Sequence, residues 1–222
     1  MLVLGLDTAT PAVSAALHDG HRVVSQACTV DARRHSELLA PMIAKVMADA
    51  GASRGDLTGI AVGVGPGPYT GLRVGVVTAR VLGSVLGLPV HGVCSLDVIA
   101  AAVPAGQEFL VATDARRHEV YWARYDAAGR RMDGPHVGRA GSIAGAAELA
   151  VAGAGGQLYP ESFGEVVGPA YPDARTLCAI VAGRLAGAAQ PRIPSPLLAA
   201  EPLYLRRPDA REPGPPKRVT PP

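Results

Sequence analysis

The sequence predicts an α/β protein built as two lobes, each around a mixed sheet. Three observations carry this. Short apolar runs without alternation, LVLGL at 2–6 and IAVGV at 60–64, read as strands buried on both faces. Between and after them lie segments whose apolar residues recur at helical spacing. The second half also opens as the first does: EFLVATD (108–114) resembles LVLGLD (2–7), an apolar strand ending in aspartate, then a short turn and another strand. The aspartate-to-turn-glycine spacing is 13 residues from Asp7 to Gly20 and 15 from Asp114 to Gly129, which reads as a weak internal duplication. Strand-strand-strand-helix-strand-helix in each half then gives two α/β lobes, 1–103 and 104–205.

Taken in order, strands at 12–17 and 22–30 flank Asp19-Gly20, a strong short hairpin signal. In SELLAPMIAKVMADAG (36–51), Leu38, Leu39, Met42, Ile43, Val46 and Met47 define a helical face and Gly51 ends it. Ser36 is its expected N-cap, and Pro41 predicts a kink or a later start. The strand at 60–64 passes into a helix over 71–88, followed by a strand at 90–93 and a short helix at 95–102. The second lobe continues with a strand at 118–125, a turn at 127–129, a short helix at 142–148, a strand at 149–153, a glycine loop and a helix at 174–188. Residues 208–222 hold six prolines and almost nothing apolar, so a disordered tail is expected over 206–222.

Composition narrows the function. At 222 residues, 48% hydrophobic and 18% charged, with a mean hydropathy of +0.20, the chain is long enough to bury a core and too apolar for disorder. Arg73 and Arg80 interrupt the most apolar stretch, 71–90, and Asp7 comes too early for a signal sequence, so a cytoplasmic protein without a membrane span is expected. Cys28, Cys94 and Cys178 give neither a disulfide framework nor a zinc set. Residues 206–222 carry five basic and two acidic residues, leaving sixteen basic against seventeen acidic in 1–205. A body without basic excess is not the profile of a chain that grips nucleic acid by itself.

The densest motif is GPGPYTGLRVG (65–75), at a strand-to-helix junction where glycine loops often take phosphate. It matches neither the P-loop nor the dinucleotide pattern, and Pro66 and Pro68 lack the N–H groups a cradle uses. A shaped turn is the better reading. In the following helix Gly71, Gly75, Ala79, Gly83 and Gly87 recur every fourth residue, although interior glycine costs about 1 kcal/mol of helix propensity. Small residues at that spacing let another backbone approach. Leu72, Val76, Val77, Val81, Leu82, Val85 and Leu86 make the helix apolar nearly all round, so it needs cover on more than one side: the first helix or a second protein chain. Asp7 and Asp114, at the ends of the first strand of each lobe, are the acid/base or metal candidates of an inter-lobe cleft. Arg116 and Arg117 stand where a phosphate-binding hairpin would want glycine.

Asp7-Thr8, His35-Ser36-Glu37, GPGPYTGLRVG, Asp114-Ala115-Arg116 with Glu119-Val120-Tyr121, and Pro202-Leu203-Tyr204-Leu205-Arg206 together resemble the TsaB (YeaZ) family, over residues 2 to about 206. The resemblance implies the actin-like, sugar-kinase-like duplicated fold. It further implies a cytoplasmic, non-catalytic subunit of the bacterial machinery that places threonylcarbamoyl on the adenosine beside the tRNA anticodon. In the paralogous catalytic subunit, TsaD, a His-x-x-x-His pair holds a metal; the matching positions here are Ser95 and Ile99, which cannot replace imidazole. No resident cofactor is implied; Asp7, Thr8 and Asp114 would line a vestigial cleft with at most weak nucleotide binding. The implied partners are a TsaD-like subunit, a TsaE-like ATPase, a second copy when the chain is alone, and tRNA indirectly. First-lobe helices form the family's partner contacts, so the expected interface is Leu39, Ile43, Val46, Gly71, Leu72, Gly75, Val76, Ala79, Leu82 and Gly83. Two alternatives are an actin-like ATPase or small-molecule kinase working through Asp7 and Asp114, and, disfavoured, a peptidase.

Overall fold

The computed structural model describes residues 1–104, 106–187 and 196–206. The first sheet holds β1 (Val3–Asp7), β2 (Ala12–His18), β3 (Val23–Val30), β4 (Gly59–Gly63) and β5 (Val90–Val93), in the order β3-β2-β1-β4-β5. The β1/β2/β3 meander is antiparallel, and β4 and β5 join in parallel. The second sheet has β6 (Phe109–Asp114), β7 (Val120–Tyr125), β8 (Arg131–Gly138) and β9 (Ala150–Ala152), in the order β8-β7-β6-β9, with β6/β9 parallel. The second sheet repeats the order of the first four strands, β3-β2-β1-β4, without a counterpart of β5, in keeping with the paired LVLGLD and EFLVATD segments.

Period-two alternation decides what covers each face of the first sheet. Leu4 and Leu6 of β1 point into a core shared with α1 (His35–Asp49) and α2 (Tyr69–Leu86), together with Leu39, Val46, Leu72 and Val76. Val3 points the other way, into a core with Leu177, Cys178 and Val181 of α5 (Ala174–Leu185). Thus α5, although it follows the second sheet in sequence, lies on the first. The short α3 (Ser95–Ala101) fills the space between the sheets, where Leu96 and Ile99 pack with Phe109 and Tyr125. There the Tyr125 hydroxyl donates to Asp97 Oδ1 (2.7 Å), and Arg131 Nε lies 3.6 Å from the same oxygen. This buried contact ties α3 to β7 and β8. The segment 196–206 straps both lobes: Leu198 pairs with Gly92, Leu203 N–H donates to Val64 O, and Arg206 reaches the turn after β6.

Several local expectations are corrected. Arg34, not Ser36, is the N-cap of α1, and no side chain caps it; Ser36 lies one residue inside the helix. α1 starts ahead of Pro41 and runs through it to Asp49, with the proline on the exposed side. The predicted helix at 142–148 is two single 3-10 turns, Ala140–Ser142 and Ala146–Glu148, separated by Gly145 at a φ of +69°. The glycine loop after β9 is instead α4 (Ala154–Leu158), with Gly155 and Gly156 inside it. Of the expected tail, Arg206 is tied to the second lobe and 207–222 lie outside the described residues.

Candidate functional site

The junction at the carboxyl ends of β1 and β4 is made of backbone and buried hydroxyls. The 64–68 loop presses on the β1/β2 turn so closely that a Cβ on Gly67 would overlap the Ala9 carbonyl. Asp7 is fully buried beneath this loop. Its Oδ1 accepts from Ala9 N–H (2.8 Å) and its Oδ2 from Ser95 Oγ–H (2.8 Å), while Ser95 Oγ accepts from Gly65 N–H (3.2 Å). Burial pushes the Asp7 carboxyl up to about 6, against the opposing pull of those two hydrogen bonds. Asp7 therefore joins β1, α3 and the glycine-proline loop. Of the two positions of the family's metal pair, Ser95 is part of this junction and Ile99 is buried in the apolar core.

Thr8 has an equally structural task. Its hydroxyl donates to Gly71 O (2.7 Å) and accepts from Gly75 N–H (2.9 Å). The hydroxyl is inserted between the two backbone groups that an uninterrupted helix would pair with each other. A Cβ on Gly75 would sit 2.5 Å from Thr8 Oγ1 and one on Gly71 2.9 Å from Thr8 O. Gly83 faces Val90 of β5 in the same way. The small-residue stripe of α2 is thus the face that lies against its own sheet and β1/β2 turn.

This redraws the expected partner surface. Leu39, Val46, Gly71, Leu72, Gly75, Val76, Ala79 and Gly83 are buried within the chain, while Ile43 and Leu82 remain half-exposed. The apolar residues that α2 turns outward are Val77 (48% exposed), Val81 (54%) and Val85 (75%). An open groove of about 480 Å3 runs between α1 and α2, with Leu39, Ala40, Val74 and Val77 among its walls. In the sequence those valines stand beside the stripe, with nothing local to tell which side faces inward.

Asp114, at the end of β6, accepts from Arg116 N–H (2.7 Å) and lies 3.4 Å from the Arg116 guanidinium. Arg116, Arg117 and His118 all adopt left-handed backbone, with φ of 61°, 56° and 60°. The hairpin therefore has the conformation that favours glycine, adopted by three residues that each prefer others by roughly 1–2 kcal/mol. Hydrogen bonds hold it: Ala115 N–H to Glu119 O, Glu119 N–H to Arg116 O, and Arg206 Nη1–H to Ala115 O (2.9 Å). Arg206 also ion-pairs with Glu119, and Tyr204 stacks on Tyr69 with ring centres 5.1 Å apart. Among the described residues, no group of three or more His, Cys, Asp or Glu side chains is arranged to hold a metal ion, and no helix is long and apolar enough to cross a membrane.

Comparison with known proteins places this architecture. Residues 24–157 match the family described as TsaD, tRNA N6-adenosine threonylcarbamoyltransferase. An uncharacterised protein of Mycobacterium tuberculosis is 45% identical over 211 residues, covering 94% of this chain and 93% of that one. The tRNA threonylcarbamoyladenosine biosynthesis protein TsaB of Escherichia coli is 35% identical over 129 residues, 56% of this chain and 55% of that protein. The solved structure of YeaZ from Pseudomonas aeruginosa superposes with a TM-score of 0.72 at 28% identity, covering 92% of this chain and 99% of that one. The fold is that of YeaZ, and the chain belongs to the TsaD-type threonylcarbamoyltransferase family, as a homologue of TsaB (YeaZ).

Proposed function

We propose that this chain is a non-catalytic scaffold subunit in the synthesis of N6-threonylcarbamoyladenosine beside the tRNA anticodon. It binds and activates a TsaD-like catalytic subunit, helps recruit a TsaE-like ATPase, and pairs with a second copy of itself when alone. The observation that carries the reading is the outward valine face of α2, Val77, Val81 and Val85, beside the open α1/α2 groove. Aligned exposed valines on a regular helix are a feature that association would bury. The match to the TsaD family spans α1 and α2, so a catalytic subunit of that family would bring an equivalent pair of helices to the contact. The rest of the junction supports a structural role. Asp7 and Thr8 use their polar atoms to hold α2, α3 and the 64–68 loop, and Asp114 is engaged by Arg116. The cleft, at most, would bind nucleotide weakly.

The test is co-purification of a tagged chain with the TsaD-like subunit, comparing wild type with Val77→Glu and Val81→Glu. Both positions are exposed, so the variants fold, and placing a carboxylate in an apolar interface abolishes co-elution. Retention of the partner by both variants would refute this face as the contact.

A further inference from the structure

Between Asp56 and Asp97 the sequence has no acidic residue, and within that stretch α2 carries Arg73 and Arg80. Both arginines are exposed, and neither makes an ion pair among the described residues. At 3.6 residues per turn, positions seven apart fall about 20° from each other around a helix and about 10 Å apart along it. The two arginines therefore form one short row. The same geometry sets Val77 and Val81 beside that row, at about 40° and 80° from Arg73, and brings Val74 and Thr78 next, at the α1/α2 groove. The row borders the valine face along one edge. Arg73 is held in position there: its guanidinium donates to the Tyr69 hydroxyl (2.9 Å) and lies 5.2 Å from the centre of the Tyr69 ring, on which Tyr204 stacks.

The other helix is different. The Asp, Glu, Lys and Arg side chains of α1 are Glu37, Lys45 and Asp49, and each has a counter-charge close by in sequence. Arg34 Nε lies 2.7 Å from Glu37, and Lys45 Nζ lies 2.6 Å from Asp49. Of the charges on the two helices, only Arg73 and Arg80 lack a partner of opposite sign among the described residues, and both are positive. A surface closing over the valines takes this row partly out of water, where an uncompensated charge costs more. Carboxylates on that surface would answer it with charge-assisted hydrogen bonds. A second copy of this chain brings two more arginines, and its Glu37 and Asp49 are already engaged.

We propose that Arg73 and Arg80 are a specificity rim: they select a partner whose helices carry carboxylates, spaced by about 10 Å beside an apolar centre, over a second copy of this chain. The inference rests on the scaffold reading and adds the chemistry of the partner to it. Rim charges act mainly on encounter rate and on the choice of partner, so the association rate is the quantity to read.

The full chain is titrated against the TsaD-like subunit by surface plasmon resonance at about 50 and about 500 mM NaCl, and its self-association is followed by sedimentation at the same salts. The association rate should fall about tenfold at the higher salt and in Arg80→Glu, and about two- to fivefold in Arg80→Gln and Arg73→Gln. Arg80→Lys should stay near wild type, and self-association should hold or tighten as salt screens the arginines. Rates indifferent to salt and to every arginine variant, or self-association that weakens with salt as the partner's binding does, would overturn the rim. Val81→Glu keeps the two readings apart. If it loses the subunit while the arginine variants bind as wild type does, the rim is wrong and the scaffold reading stands. If it keeps the subunit, the valine face on which both rest is wrong.

Discussion

Replacing Asp7 by asparagine separates a structural aspartate from a catalytic one. Asp7 is fully buried, and its native pKa of about 6 stands above the ordinary 3.8 because burial penalises the charged form. The native state therefore binds the proton more tightly than the unfolded chain. Stability is greatest below pH 3.8 as far as this group is concerned, falls as pH rises from about 3.8 to about 6, and is level above. A rise of that size means that holding the ionised carboxylate costs the native protein about 3 kcal/mol at neutral pH. Asparagine keeps an oxygen for Ala9 N–H and removes the charge, although its amide must then donate to Ser95. The expected gain is roughly 1–3 kcal/mol above pH 7, vanishing below pH 4. Urea denaturation of wild type and Asp7→Asn across pH 4–8 measures it, the difference between them isolating this group. A variant less stable than wild type at neutral pH, or an equal pH slope in both, would refute the reasoning.

Thr8→Val removes the hydroxyl that joins Gly71 O to Gly75 N–H and leaves both backbone groups unsatisfied; chemical denaturation should record a loss of about 2–4 kcal/mol. Gly75→Leu drives a side chain into Thr8, where a Cβ alone would be 2.5 Å from Oγ1, so the isolated chain should lose more than about 4 kcal/mol and fail to fold by circular dichroism. Val81→Glu, one helical face away, should stay within about 0.5 kcal/mol of wild-type stability while losing the partner in size-exclusion chromatography. The contrast between the last two locates the inward and outward faces of α2.

Much of the first lobe is legible in the sequence, because its strands are apolar runs between turn residues and its helices keep clean periodicity. The duplication is legible through Asp7 and Asp114, which end equivalent strands. What periodicity does not carry is direction. α2 is apolar nearly all round, so the stripe at Gly71, Gly75, Ala79 and Gly83 reads equally well as a surface for another chain or for its own sheet. The deciding contact, Thr8, lies more than sixty residues away in sequence. Local propensity also fails at 142–148, where alanines and Glu148 look helical but Gly145 takes a positive φ and splits the segment. Arg116–His118 show the reverse case: non-glycines hold a left-handed turn because Asp114, Glu119 and Arg206 fix it from outside.

The most direct test of the scaffold account is nucleoside mass spectrometry of total tRNA from cells depleted of this chain and complemented with variants. The account predicts that depletion removes N6-threonylcarbamoyladenosine while other modified nucleosides persist, that wild type and Asp7→Asn restore it, and that Val81→Glu does not. Full restoration by Val81→Glu together with failure of Asp7→Asn would contradict it, moving the function from the valine face of α2 to chemistry in the cleft.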